Sequence, residues 1–322
     1  MSSSLLHPPG HLPPATALRH SQQSPTILNN STGALSNSLP QYLLSTSETQ
    51  ELWTTYENLM LSCLRTGDDE AAHQCLERLV NRFGDDNERI MALKGLLKEA
   101  SAKDKASLDL VLKEYEHILQ ENPTNLPIVK RRVALLRSMG RIPDAVNALL
   151  ALLDVSPTDA EAWAELSDLY FSQGLYSQAI FALEEVIVLQ PNAWNIHARL
   201  GELLLSSAKT PDASKQKQLA EAVKRFCRSV ELCDYYLRGL YGLKIAVGEL
   251  LAEPQKSSRQ TETEELLVPS TATLNHLDEV ATEKLAEIVR RNAAGEKAWQ
   301  GYDQAEITAA RELLQGSSNS TV

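Results

Sequence analysis

Hydrophobic residues in the middle of the chain, between residues 160 and 193, recur with a helical period in two consecutive stretches. The first stripe comprises Trp163, Leu166 and Tyr170. The second stripe comprises Ile180, Leu183, Val186 and Ile187. Spacings of three and four residues place each set on one face of a helix. Gly174 lies between the stripes, where a helix commonly ends on a residue with positive φ. Ala179 is small enough for the two predicted helices to cross closely, so the pattern predicts a helical hairpin.

The landmarks of this hairpin recur every 34 residues. The repeated positions are Pro123, Pro157 and Pro191; Gly140 and Gly174; and Ala145 and Ala179. This period, together with Trp163, Leu166, Ser167 and Tyr170 at their spacing, is the signature of the tetratricopeptide repeat (TPR). One hairpin cannot bury both of its stripes alone, so neighbouring hairpins must stack on it. The predicted fold class is therefore all-α, a TPR-type helical-hairpin solenoid.

We expect the solenoid to occupy residues 48–251, with about five to six repeats. The second, third and fourth repeats are predicted at 87–123, 126–159 and 160–193. A polar insertion, Ser206 to Gln218, interrupts the fifth repeat, and Tyr235 to Leu250 forms a sixth first helix.

The segments outside the solenoid are two tails and a linker without a sustained apolar period, and a pair of amphipathic closing helices. Residues 1–47 carry a single formal charge, Arg19, and are expected to be a disordered tail. Within them Ser24-Pro25 is a candidate phosphorylation motif, although an unregulated tail is the other interpretation. We further expect a polar linker or loop at 252–272, C-terminal capping helices at 273–315 and a disordered tail at 316–322.

Composition narrows the functional classes. The net charge of −11 argues against a general nucleic-acid binder. The four cysteines form no pair with metal-ligand spacing, which favours reduced, mostly buried thiols in a reducing compartment. No apolar run is long enough to span a bilayer, and the N-terminus has neither the basic nor the apolar region of a secretory signal.

Motifs that carry chemistry are not found. The seven histidines form no HExxH or Cys-His arrangement, and the sequence has no Gly-rich phosphate loop or GxSxG elbow. We therefore predict no catalytic residues, no metal site and no cofactor. An enzyme with a TPR-like shell is the disfavoured alternative.

A charge pattern points instead to protein binding. Residues 122–143 contain no acidic side chain but five cationic ones, while the chain as a whole is acidic. The first helix of each TPR hairpin lines the groove of the solenoid. The groove positions and the basic stretch together give as candidate contacts Lys130, Arg131, Arg137, Arg141, Asp168, Phe171 and Leu205. A long partner segment with an acidic stretch and an apolar anchor would suit such a groove.

Two other interpretations of these residues remain. The cations can be solvated helix faces, with Arg132 lying across a neighbouring helix by its aliphatic stem. A groove that clamps the carboxylate tail of a chaperone is disfavoured, because only Lys130 and Arg199 match that pattern.

Several segments resemble one particular family. They are Lys130-Arg131-Arg132 with Gly140-Arg141, the stretches 159–170 and 179–191, Leu237 to Lys244, and the closing helix pair near 273–315. These segments are similar to the second subunit of the endoplasmic reticulum (ER) membrane protein complex, over roughly residues 50–315. The resemblance does not extend to 1–47 or 252–272.

The resemblance implies a non-catalytic scaffold on the cytosolic side of the ER membrane, with no transmembrane segment of its own. Its partners would be cytosolic tails of membrane-embedded subunits and another soluble subunit, in an assembly that inserts tail-anchored and multipass proteins. The alternative is a generic TPR adaptor in a soluble cytosolic or nuclear assembly. Cell fractionation would distinguish the two, because only the complex subunit is expected to sediment with ER membranes.

Overall fold

The computed structural model describes residues 5–8, 12–30, 50–210, 214–253 and 268–319. Every regular element in these ranges is helical, as the predicted all-α fold class requires. The chain divides into two compact units, 1–148 and 149–322, which are described separately below.

The helices follow one another as hairpins, with short turns inside and between them. Up to the division between the units they are α1 (Pro14–Ser21), α2 (Ser24–Asn30), α3 (Gln50–Thr66), α4 (Asp69–Phe83), α5 (Glu88–Ser101), α6 (Lys105–Glu121), α7 (Leu126–Ser138) and α8 (Ile142–Val155), within which the division falls. The remaining helices are α9 (Ala160–Ser172), α10 (Tyr176–Leu189), α11 (Trp194–Ser207), α12 (Lys215–Leu232), α13 (Leu237–Ala252), α14 (Thr271–Ala293) and α15 (Gln304–Asn319). Helices α3, α5, α7, α9, α11 and α13 are the first helices of their hairpins, so the TPR-type helical-hairpin fold is confirmed.

Local sequence sets where these helices begin and end. Short polar side chains accept hydrogen bonds from free backbone N–H groups at several helix starts, five of which belong to the hairpins from α4 to α9. These capping residues are Asp68, Asn87, Asp104, Asn125 and Asp159. Gly140 and Gly174 adopt φ of 73° and 72° at the turns inside their hairpins. The turn predicted at Gly174 is therefore confirmed, and a residue with a Cβ would be strained there.

The core of the first unit is formed by the facing sides of α3 to α6. Tyr56, Leu59 and Met60 are fully buried on α3, and Tyr115 is buried on α6 with its ring lying directly against Gly95. All four cysteines are free thiols. Burial raises the pKa of Cys63 to about 11 and that of Cys75 to about 12, so both remain protonated at neutral pH.

The core of the second unit centres on Phe226 of α12. Its side chain is fully buried between two glycines, Gly201 on α11 and Gly242 on α13. A Cβ added at Gly201 would lie 2.7 Å from the ring, and one added at Gly242 would lie closer still. The absence of side chains at these two positions therefore lets a large aromatic ring fill the space between α11 and α13.

The structure differs from the prediction of a disordered segment at 1–47. Residues 14–30 form α1 and α2, and Ala17 and Leu28 are buried against the first hairpin. The contacts that hold these helices join α1 to α3 and α2 to α4, across 42 to 50 residues of sequence in the bonds of His20 and Leu28, so no local period reveals them. Residues 31–47 lie outside the described residues.

The C-terminal boundaries also shift. Most of the linker predicted at 252–272 lies outside the described residues, and α14 begins at Thr271. The last predicted helix starts later than expected because a 3₁₀ turn, Lys297–Trp299, precedes it. That helix continues to Asn319, so a disordered tail from residue 316 is wrong up to this point, and 320–322 lie outside the described residues.

A buried lysine joins α13 to α14. Lys244 is 7% exposed, and its Nζ donates to Asp278 Oδ1 at 3.0 Å and to Thr282 Oγ1 at 2.8 Å. Next to it, apolar residues of α13, α14 and α15 form one buried cluster. Its buried members are Leu237, Leu240, Leu285, Ile288, Ile307 and Ala310. The last two helices are thus packed onto the final hairpin element by both apolar and polar contacts.

Candidate protein-binding face

In the first unit, acidic side chains of one first helix pair with arginines of the next. Glu57 of α3 pairs with Arg89 of α5, with Oε2 2.7 Å from Nη2. Glu99 of α5 pairs with Arg131 of α7 through both of its oxygens, and Nε of Arg131 lies 3.1 Å from Oε1. These bonds tie successive first helices together along one face.

The second unit repeats the arrangement on α9, α11 and α13. Asp168 Oδ1 accepts from Arg199 Nη2 at 2.9 Å, and Arg199 Nη1 donates to Glu202 Oε2 at 2.9 Å. Glu202 Oε1 in turn accepts from Arg238 Nη2 at 2.8 Å. Acidic and basic groups therefore alternate across three first helices. We call these four residues, Asp168, Arg199, Glu202 and Arg238, the charge ladder.

Arg199 occupies the centre of the charge ladder and is held from three sides. Burial alone would lower the pKa of Arg199, but its hydrogen bonds to Glu202 and Asp168 offset that effect and the pKa is raised. Its guanidinium carbon lies 5.0 Å from the centre of the Phe171 ring, within the range of a cation–π interaction. Phe171 also packs edge-on against Tyr176, at 5.8 Å between ring centres.

Beside the charge ladder lies an open apolar cleft of about 430 Å³. Its apolar lining includes Leu205, Phe226, Leu237, Tyr241, Ile245 and Ala309. Its polar rim includes Glu202, Lys209, Arg238 and Glu306. An apolar surface bordered by charges of both signs suits a peptide with an apolar anchor and flanking polar groups.

The structure brings together three of the seven predicted contact residues. Asp168 and Phe171 both contact Arg199. Arg199 bonds to Glu202, and Glu202 lines the same cleft as Leu205. The other four belong to the first unit.

The structure modifies the interpretation of 122–143 as an uncompensated basic stretch. Arg131 is paired with Glu99, and Arg141 Nε lies 2.7 Å from Oδ2 of Asp144 on its own helix. Glu99 and Asp144 both lie outside residues 122–143, so the acid-free stretch is partly neutralised by residues beyond its ends. Lys130 is half-buried and Arg137 is exposed, both on α7.

Sequence reasoning missed Arg238 and Tyr241, and it gave Arg199 no role on this face. The 34-residue period contained part of the signal, because Glu202 occupies the position of Asp168 one repeat later. The missing part was a pairing rule: an acidic residue of one first helix pairs with an arginine near the same position of the next first helix. That pairing recurs in four of these contacts, at separations of 31 to 36 residues.

Replacing Arg199 by methionine is expected to lower the free energy of unfolding by about 1 kcal/mol or somewhat more, since two partly buried carboxylates lose their shared partner. Arg199→Lys should restore only part of the loss, because an ammonium cannot reproduce the planar fork. Urea unfolding at low and high salt measures both variants. Arg228→Met is the matched control: its pair with Glu231 is exposed, so we expect almost no effect. An equal loss for both arginines would contradict the role given to Arg199.

Within the described residues, no group of three or more His, Cys, Asp or Glu side chains is placed to hold a metal ion. In the same ranges, no helix combines the length and the apolar character needed to cross a membrane.

The stacked hairpins and their paired first helices define a tetratricopeptide-repeat protein. A sequence profile described as the EMC2 TPR-like repeat domain matches residues 76–218. The chain is 37% identical to the TPR repeat protein oca3 of Schizosaccharomyces pombe over 201 residues, which are 62% of this chain and 68% of that protein. It is 30% identical to ER membrane protein complex subunit 2 of Xenopus tropicalis over 209 residues, 65% of this chain and 67% of the relative. The chain belongs to the family of ER membrane protein complex subunit 2.

The yeast relative of the same name, from Saccharomyces cerevisiae, is 27% identical over 192 residues, covering 56% of this chain and 64% of the relative. Among solved structures, a crystal structure of MamA protein is similar with a TM-score of 0.46 and 17% identity, over 65% of this chain and 96% of that one.

Proposed function

We propose that this protein is a non-catalytic scaffold subunit of the ER membrane protein complex, bound to the cytosolic face of the ER membrane. Its membership of the subunit 2 family carries the proposal, since relatives at 30% and 27% identity bear that name. In this role it binds cytosolic segments of membrane-embedded subunits and contacts a soluble subunit. By fixing those segments, it supports insertion of tail-anchored and multipass proteins.

The proposed binding surfaces lie on the first helices of both units. In the second unit, the cleft beside the charge ladder offers Leu205 and Tyr241 to an apolar anchor, and Phe171 lies against Arg199 of the ladder. In the first unit, Lys130, Arg131, Arg137 and Arg141 are the proposed contacts for an acidic stretch. Such contacts order a segment that is flexible when free, and the partner's ordering entropy limits the affinity.

Native affinity purification of the tagged full-length chain from mildly solubilised membranes tests the proposal, with mass spectrometry of the bound proteins. We expect a stoichiometric set of multipass ER proteins, and co-sedimentation with ER membranes that high salt or alkali releases. Recovery of soluble proteins alone would overturn it and would favour the generic TPR adaptor. Recovery of no stoichiometric partner at all would contradict both the complex subunit and the generic adaptor.

A further inference from the structure

The N-terminal helices α1 and α2, residues 14–30, form a strap on the first hairpin. Ser21 Oγ and Ser24 Oγ both donate to the same carboxylate oxygen, Asp68 Oδ2, at 3.2 and 3.3 Å. Asp68 simultaneously caps α4, where its other oxygen accepts from the Ala71 N–H at 3.3 Å. Ser24 and Ser21 are only 3% and 6% exposed, whereas Asp68 is partly exposed.

A second polar contact holds the other end of α2. Arg78 of α4 is 9% exposed, donates from Nη2 to the Leu28 carbonyl at 3.0 Å and lies 5.5 Å from the centre of the Tyr56 ring. This cation sits one helical turn beyond Ser24 and is engaged with Leu28. The charged group bonded to Ser24 is the carboxylate of Asp68, while Nε and Nη1 of Arg78 are buried without a hydrogen-bond partner among the described residues.

The strap buries little apolar surface of its own. Within residues 14–29, Ala17 and Leu28 are the buried hydrophobic residues, and Ile27 is partly buried against the core of the first unit. A segment with so few buried apolar contacts opens at a lower free energy than the hairpins beneath it. Local opening of the strap would expose Ser24 without unfolding of the first unit.

We propose that Ser24 is a phosphorylation site whose modification holds the strap off the first hairpin. Pro25 follows it directly, which is the sequence that proline-directed Ser/Thr kinases use. In the open strap, Ser24 Oγ forms a bond to the γ-phosphorus of ATP, the bond to the ADP oxygen breaks and the hydroxyl proton passes to the kinase base. The product carries a charge of about −1.5 to −2 at pH 7.

This charge cannot return to the docked site. In the docked strap it would replace a hydrogen-bond donor beside Asp68, and two anions within hydrogen-bonding distance of each other repel. Phosphorylation would therefore keep the faces of α3 and α4 beneath the strap exposed, including Tyr56 and Arg78.

The test uses the full chain, a proline-directed kinase with ATP, and mass spectrometry to locate the phosphate. We expect phosphate on Ser24, and amide hydrogen exchange of residues 14–30 to accelerate by about tenfold or more while exchange in α9 to α11 is unchanged. Leu28→Ala, which loosens the strap, should speed the phosphorylation. No phosphate on Ser24 in either protein, or unchanged or slower exchange after phosphorylation, would overturn the proposal.

Substitutions separate charge from loss of the hydrogen bond. Ser24→Glu should accelerate exchange of the strap, whereas Ser24→Ala should change it little. Adding Asp68→Asn to Ser24→Glu should restore much of the protection, because asparagine keeps the helix cap but removes the charge. Equal release of Ser24→Glu with aspartate or asparagine at 68 would show that repulsion is not the cause, and would refute the mechanism.

Discussion

Replacing Phe226 by alanine is expected to lower the free energy of unfolding of the second unit by about 3 to 5 kcal/mol. The ring is fully buried between Gly201 and Gly242, and neither glycine has a side chain that can move into the space it leaves. The variant loses the transfer free energy of the ring and gains a cavity. Urea unfolding measured by circular dichroism gives the size of the loss, and hydrogen exchange over α11 to α13 gives its location.

The matched control is Phe181→Ala, because Phe181 is 57% exposed and should cost about 1 kcal/mol or less. A second variant tests the packing argument itself. Gly242→Ala alone should destabilise, since its methyl group would overlap the ring, but it should be tolerated when Phe226 is also alanine. Additive effects of the two substitutions would contradict the close approach described here.

Charge reversal at Lys130 and Arg137 together is expected to reduce capture of the membrane-embedded subunits by at least about tenfold, without unfolding the protein. Both residues lie on α7, at positions proposed to meet an acidic partner segment. The measurement is quantitative recovery of those subunits by the tagged Lys130→Glu/Arg137→Glu variant. Circular dichroism shows whether the variant is folded.

Its control is Lys105→Glu/Lys113→Glu, which makes the same change in net charge on the exposed surface of α6. We expect this control to capture partners normally. If the folded α7 variant also captures them normally, the proposed contact of α7 with an acidic segment is wrong, while family membership is unaffected.

The helices of the repeats could be predicted from sequence because their signals are local. The apolar stripe through Trp163, Leu166 and Tyr170 and the turn at Gly174 lie within one hairpin. The strap could not be predicted in this way. Its helices are short and nearly uncharged, and its place in the fold depends on Asp68 and Arg78, which lie some 44 to 50 residues further along the chain.

The candidate site could likewise be predicted only in part from the sequence. The repeat register placed Asp168, Phe171 and Leu205 on first helices, and the structure links them through Arg199 and Glu202. Counting charges within a short window was less informative. Arg131 has its partner in the preceding hairpin, so its charge is balanced by a residue that the window did not contain.

The contacts around Lys244 have a consequence for how the polypeptide can be divided. Helices α13 and α14 are joined through residues 253–270, yet Lys244, Asp278 and the buried cluster around Leu240 connect them directly. A chain cut within that connection keeps every one of these contacts available between its two pieces. The closing helices are therefore suited to fragment complementation: synthesised as a separate peptide, they have both the apolar face and the paired charge needed to re-associate with a truncated protein.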